Sequence, residues 1–174
     1  MAYCPALKQV LVDSLAIEVA SGGQGQIGVV FWIAFGLSQS LLSAIAPAGE
    51  SVPAEKSLQT TCLAGVILAG SNAVGADGLN RALKLIRLSP VLRNREQFGS
   101  VRQQSYALLT GIGRTESDCS AASMAGLAQD AVPDRDLLRQ LEPRRGSGIG
   151  IEIFCRQPPS CPRRLTHGHG FQGA

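Results

Sequence analysis

The sequence predicts a mostly α fold of the α+β class: a small N-terminal extended element, three or four packed helices, and a loose tail. Three observations lead there. KQVLVDSLAIEVA, within residues 1–20, alternates weakly and carries β-branched side chains, which suits short strands. Ile27 to Ala46 is an apolar run long enough for about five helical turns. Helical spacing then recurs as far as Gly113, and beyond Cys119 the composition shifts towards Arg, Pro and Gly.

The elements follow in order. Gly22 to Gly28 reads as a turn that starts the first helix. PAGESVPAE is a Pro/Gly break, after which helical spacing runs from about Ser57 to Ala73. Asp77 is placed to cap a third helix, GLNRALKLIRL, in which Leu79, Leu83 and Ile86 sit at i, i+4 and i+7. Pro90 ends it, because proline lacks the N–H that a continuing helix needs. SVRQQSYALLTGIG is a fourth helix, stopped by Gly111 and Gly113. VPDRDLLRQLEP suits one short helix in an otherwise disordered tail. The expected division is a domain over 1–119 and a tail over 120–174.

Composition limits the functions. A chain of 174 residues with 45% hydrophobic content can bury one core, and with 5% aromatics that core is aliphatic. The net charge of +3 is weak. Arginines cluster between Arg81 and Arg102 and again after Arg135, which is compatible with anionic partners. No aromatic residues interleave with them as a base-stacking surface requires, so nucleic acid is not an expected partner. Cys4, Cys62, Cys119, Cys155 and Cys161 form no C-x-x-C pair, which disfavours a zinc knuckle. MAYCPALKQV has neither the basic start nor the apolar stretch of a signal peptide.

Several motifs suggest chemistry. Gly23, Gly25 and Gly28 spell G-x-G-x-x-G, and Glu50 follows at the distance of a ribose-binding acid. The second parallel strand of a dinucleotide fold is missing, because Ala46-Pro47-Ala48-Gly49 directly precedes Glu50. The glycines then serve only a turn. No charge occurs between Glu18 and Glu50, so a helix at 27–46 is long enough to cross a bilayer. Gly36, Gln39, Ser40 and Ser43 share one face of it, which suits a buried helix under a cleft equally well. His167 and His169 form HGHG in the Gly-rich end, where a solvated segment is the simpler reading than a metal site. Asp130, Asp134 and Asp136 lack the Gly and terminal Glu of a calcium loop and read as a helix-start cluster. Ser105 and Tyr106 have no His near them in sequence, so no nucleophile arrangement is seen.

Four blocks, taken together, carry a family resemblance. They are YCPALKQVLVD from Tyr3 to Asp13, FWIAFGLSQSLL from Phe31 to Leu42, SLQTTCLAGV from Ser57 to Val66, and GSVRQQSYALLTGIGRTESDC from Gly99 to Cys119. In order and spacing they resemble the bacterial neutral zinc metallopeptidase family over about two thirds of the chain. There the second block carries A-H-E-x-G-H and the third carries E-L-Q-A-D-C-x-A-G. The resemblance implies a zincin-like domain. It also implies two His ligands at i and i+4, a Glu base for the metal-bound water, and a third ligand on a later helix.

This chain departs from the pattern at each of those positions. The two His positions are Phe35 and Gln39, the base position is Gly36, and the third ligand position is Ser57 with Thr61 for the nearby Asp. Ala34, Leu58, Gln59, Cys62, Ala64 and Gly65 still match. The resemblance therefore implies a lost zinc site and no resident cofactor. It leaves either a pseudo-enzyme that binds a peptide or protein partner or a decayed gene product. Cys4, Cys62 and Cys119 match family cysteines, and Cys62 with Cys119 has two open states: a disulfide in an oxidising compartment, or buried free thiols. The alternative function is a small membrane protein anchored by the helix at 27–46.

Overall fold

The structure is a computed structural model that describes residues 2–4, 9–11, 14, 17–18, 21–22, 25–45, 53–71, 75–89 and 91–142. The fold is mostly α. Strands β1 (Ala2–Cys4) and β2 (Gln9–Leu11) pair antiparallel, with Tyr3 opposite Val10. The extended reading of the N-terminal segment holds only for these short strands. Ser14, Ile17 and Glu18 are helical, so the alternation seen in KQVLVDSLAIEVA does not continue as a strand.

Beyond these helical residues come seven further α-helices among the described residues: α1 (Gln26–Ile45), α2 (Pro53–Gly70), α3 (Ala76–Leu88), α4 (Arg95–Phe98), α5 (Val101–Gly111), α6 (Ala121–Ala128) and α7 (Arg135–Gln140). A 3-10 turn, Val91–Arg93, joins α3 to α4.

Local chemistry explains most of the boundaries. Gly25 takes φ +66°, which glycine adopts without steric cost, and its N–H donates to the Ser21 carbonyl at 2.8 Å just before α1 begins. Helix α3 buries Leu79, Ala82, Leu83 and Ile86 along one face. Its N-cap is Gly75 rather than Asp77, which lies inside the first turn and contributes charge to the helix dipole instead of a capping bond. Helix α5 opens with a capping box: the Ser100 hydroxyl accepts from the Gln103 N–H, and the Gln103 side chain accepts from the Ser100 N–H at 2.8 Å.

Helix α2 is the structural centre and packs against α1, α4, α5 and α6. Its tightest neighbour is α5, in which every residue from Gln103 to Thr110 is buried. Such a helix must satisfy its polar groups internally. Gln104 Nε2 donates to the Leu92 and Gly99 carbonyls, and Gln103 Nε2 to those of Leu127 and Ala128. Two glycines permit the close crossing. A Cβ on Gly65 would lie 2.6 Å from the Leu108 carbonyl oxygen, and one on Gly111 would lie 1.9 Å from that of Cys62. Side by side with this crossing, Cys62 and Cys119 form a disulfide, and Gln59 Nε2 donates to the Cys119 carbonyl at 3.0 Å.

The packed unit extends beyond residue 119. Met124, Leu127, Val132, Leu138 and Leu141 are buried in the same core as Leu58, Leu83 and Leu109. The boundary expected at Cys119 therefore falls inside the domain, which continues at least to the end of α7. Short helices of eight and six residues owe their stability to this packing rather than to intrinsic propensity. The rest of the expected tail, from 143 to 174, lies outside the described residues.

Candidate functional site

The positions singled out by the resemblance fall on α1 and α2. Gln39 of α1 and Ser57 of α2, far apart in sequence, line one cleft of about 310 Å3. Ser43, one turn beyond Gln39, extends the α1 wall. Lys56 and Thr60 add to the α2 wall, and Gln97 of α4 lines the cleft as well. Sequence reasoning picked out Gln39, Ser43 and Ser57 but missed Lys56, Thr60 and Gln97. Lys56 adjoins Ser57, so its neighbourhood was the available signal. Gln97 sits on a four-residue helix that nothing local announces.

The other two positions of the set lie elsewhere. Phe35 is buried and packs its ring against Phe31, with centroids 6.1 Å apart, and edge-on against Trp32 at 5.8 Å. Gly36 is buried in α1, and neither residue lines the cleft. Thr61 is buried too, with its hydroxyl donating to the Ser57 carbonyl at 2.9 Å. That bond belongs to the helix and leaves Thr61 no role in the cleft.

These residues do not fit a zinc ion. Protein zinc sites use thiolate, imidazole or carboxylate ligands. Phe35 and Gly36 carry no side-chain donor atom, and Gln39 and Ser57 offer only a neutral amide and hydroxyl. Lys56, the one ionisable group lining the cleft among the described residues, adds a positive charge that opposes a dication. Among the described residues, no three of His, Cys, Asp and Glu gather as a metal-binding group. What the cleft does offer is a set of neutral donors and acceptors beside one ammonium group. Such a set can hydrogen-bond a peptide backbone and attract a carboxylate.

The remaining candidates resolve individually. His167, His169, Gly23 and Glu50 lie outside the described residues. Gly25 sits in the turn before α1, Gly28 is buried inside that helix, and the described strands are antiparallel. Asp134 caps α7 by accepting from the Leu137 N–H at 2.8 Å, and Asp136 pairs with Arg139 on its surface. Asp130 belongs to a different junction, where it pairs with Arg102 and accepts from Gln103 Nε2 at 3.0 Å. Ser105 is fully buried, and Tyr106 reaches Ser117 Oγ at 3.3 Å. Of the two states left open for Cys62 and Cys119, the disulfide is the one present, with an S–S distance of 1.98 Å. Cys4 is a free thiol.

No protein-family model, curated protein or solved structure matches this chain.

Proposed function

We propose that this chain is a non-catalytic relative of the bacterial neutral zinc metallopeptidases, with a zincin-type helical scaffold whose metal site has been lost. One observation carries the reading: Gln39 and Ser57, the positions of two former ligands on separate helices, line the same cleft. Two glycines inside the blocks that carry the resemblance, Gly65 and Gly111, lie where α2 and α5 touch. The cleft then serves to hold a peptide segment of a partner through Gln39, Ser57 and Lys56, without cleaving it. A disulfide between Cys62 and Cys119 fits an oxidising compartment.

The test is binding and hydrolysis measured together on a panel of short fluorescent peptides. Binding without cleavage, weakened at least about tenfold by Ser43→Trp, is the expected result. Ser43 is half-buried on the cleft wall, so the indole fills the cleft rather than the core. Cleavage by the wild-type chain would sink the reading. A folded chain that binds none of the peptides would favour the decayed form of the same ancestry.

A second reading keeps α1 as a membrane anchor. It rests on α1 being long and apolar enough to cross a bilayer, and on Ile33, Leu37, Leu41 and Ile45 forming an exposed stripe at four-residue spacing. Against it, half of the apolar window is buried inside the protein. Flotation with lipid vesicles separates the two, because the pseudo-enzyme stays in the soluble fraction.

A further inference from the structure

We propose that a second cleft, lined from the 3-10 turn, α4 and the start of α5, is a binding site for small phosphomonoesters. Its volume is about 380 Å3, within the roughly 300–1,000 Å3 of small-molecule sites. Arg93 of the 3-10 turn, Arg95 of α4 and Arg102 of α5 all line it. Three arginines from three successive elements thus line one cleft, and among the described residues Glu142 is its one lining carboxylate.

Two of the three arginines are not consumed by the fold. Arg93 and Arg95 are exposed and have no ion pair or hydrogen bond among the described residues. Arg102 pairs with Asp130 and, at 2.9 Å, with Glu142, yet its Nε is a buried donor with no acceptor. A buried donor left without a partner is costly, so the present arrangement of Arg102 is not its most favourable one.

The backbone adds to this. Ser100 and Val101, at the start of the eleven-residue α5, line the cleft. The first four N–H groups of a helix have no intrahelical partner. Here the Ser100 N–H is taken by the Gln103 side chain and the Gln103 N–H by the Ser100 hydroxyl. The Val101 and Arg102 N–H groups are left at the positive end of the helix dipole, where a phosphoryl group is favoured. Arginine complements a phosphoryl group by paired hydrogen bonds. Leu92 and Val101 give the cleft an apolar wall, which suits an ester carrying an organic group better than the bare ion.

Glu142 is the built-in competitor. It lines the cleft, is mostly exposed, and holds one edge of Arg102. A bound phosphoryl group would displace it. This site is independent of the α1–α2 cleft, so either proposal can fail without the other.

The experiment is calorimetric titration of the full chain with phenyl phosphate, inorganic phosphate and benzoate. Phenyl phosphate is expected to bind more tightly than inorganic phosphate, and benzoate more weakly than either. Arg93→Ala/Arg95→Ala is expected to weaken phenyl phosphate binding about tenfold or more, with an unchanged melting temperature because neither side chain is paired. Glu142→Gln is expected to tighten it. No binding of phenyl phosphate at millimolar concentration overturns the proposal. So does binding that neither variant changes, which would place the anion elsewhere. Benzoate binding as tightly as phenyl phosphate overturns the phosphoryl class.

Discussion

Gly111→Ala tests how the two central helices are held together. The new methyl carbon would sit 1.9 Å from the Cys62 carbonyl oxygen and 2.9 Å from the Val66 nitrogen, both backbone atoms of α2. A carbon never approaches that closely, so α2 and α5 must separate by about 1 Å or more. Neither helix can yield cheaply. Residues 103–110 are buried along α5, and the Cys62–Cys119 disulfide anchors α2 at the same level. Overpacking of this kind costs about 1–3 kcal/mol, and here the upper end applies because backbone rather than a flexible side chain is struck. Alanine recovers at most about 1 kcal/mol of helix propensity. The net loss is then about 2 kcal/mol, which lowers the melting temperature by about 4–8 °C for a chain of this size. Circular dichroism melts measure it. Gly70→Ala is the control, since a Cβ there meets nothing within 4 Å and the substitution should be neutral or slightly stabilising. A Gly111→Ala variant that melts with the wild type, or above it, would refute the close crossing.

Two further outcomes follow from the loop that links α5 to α6. The Cys62–Cys119 disulfide closes a loop across 57 residues, so Cys62→Ala/Cys119→Ala should cost about 4 kcal/mol in chemical denaturation. Reductant should destabilise the wild type and leave the double variant unchanged; equal stability with and without reductant would contradict the bond. Hydrogen bonds from the Ser120 and Ser123 hydroxyls, and from the Ser120 N–H, hold Asp118 down at a pKa of about 2 against an ordinary 3.8. Because the folded value is the lower one, this carboxylate stabilises fully above about pH 3.8 and its contribution is lost as pH falls towards 2. Asp118→Asn should therefore flatten the fall in melting temperature across that window, and an unchanged profile would show that the bonds carry no stability.

How much of this was legible in the sequence depended on how local each cause was. Helix α1 could be read because nothing charged interrupts it, and α3 because Leu79, Leu83 and Ile86 repeat at helical spacing. The Asp77 cap was misplaced because the chain enters α3 two residues earlier, at a glycine that offers no side chain to cap with. Helix α7 matches the one short helix read in VPDRDLLRQLEP, whereas α6 was hidden for a different reason. Its few apolar residues, Met124 and Leu127 among them, mean little until a core exists to receive them. The N-terminal alternation was overextended because weak period-two patterning does not distinguish a strand from a short helical turn. For the site, the residue types at positions 35, 36, 39 and 57 were plain, but which of them face a cleft was not. Gln39 and Ser57 do; Phe35 turns into an aromatic cluster with Phe31 and Trp32. The arginine-rich stretch was visible as composition. Its convergence on one cleft depends on the turn at residues 91–93 and on the start of α5, and is a property of the fold.

On the proposed function, the α1–α2 cleft holds no hydrolytic metal. The most direct measurement is the zinc content of the purified chain after dialysis against a mild chelator, with folding checked by circular dichroism. A folded chain with essentially no zinc is the result expected from a cleft lined by Gln39, Ser57 and Lys56. About one zinc per folded chain would contradict the account, because ligands other than the mapped positions would then have to form a site.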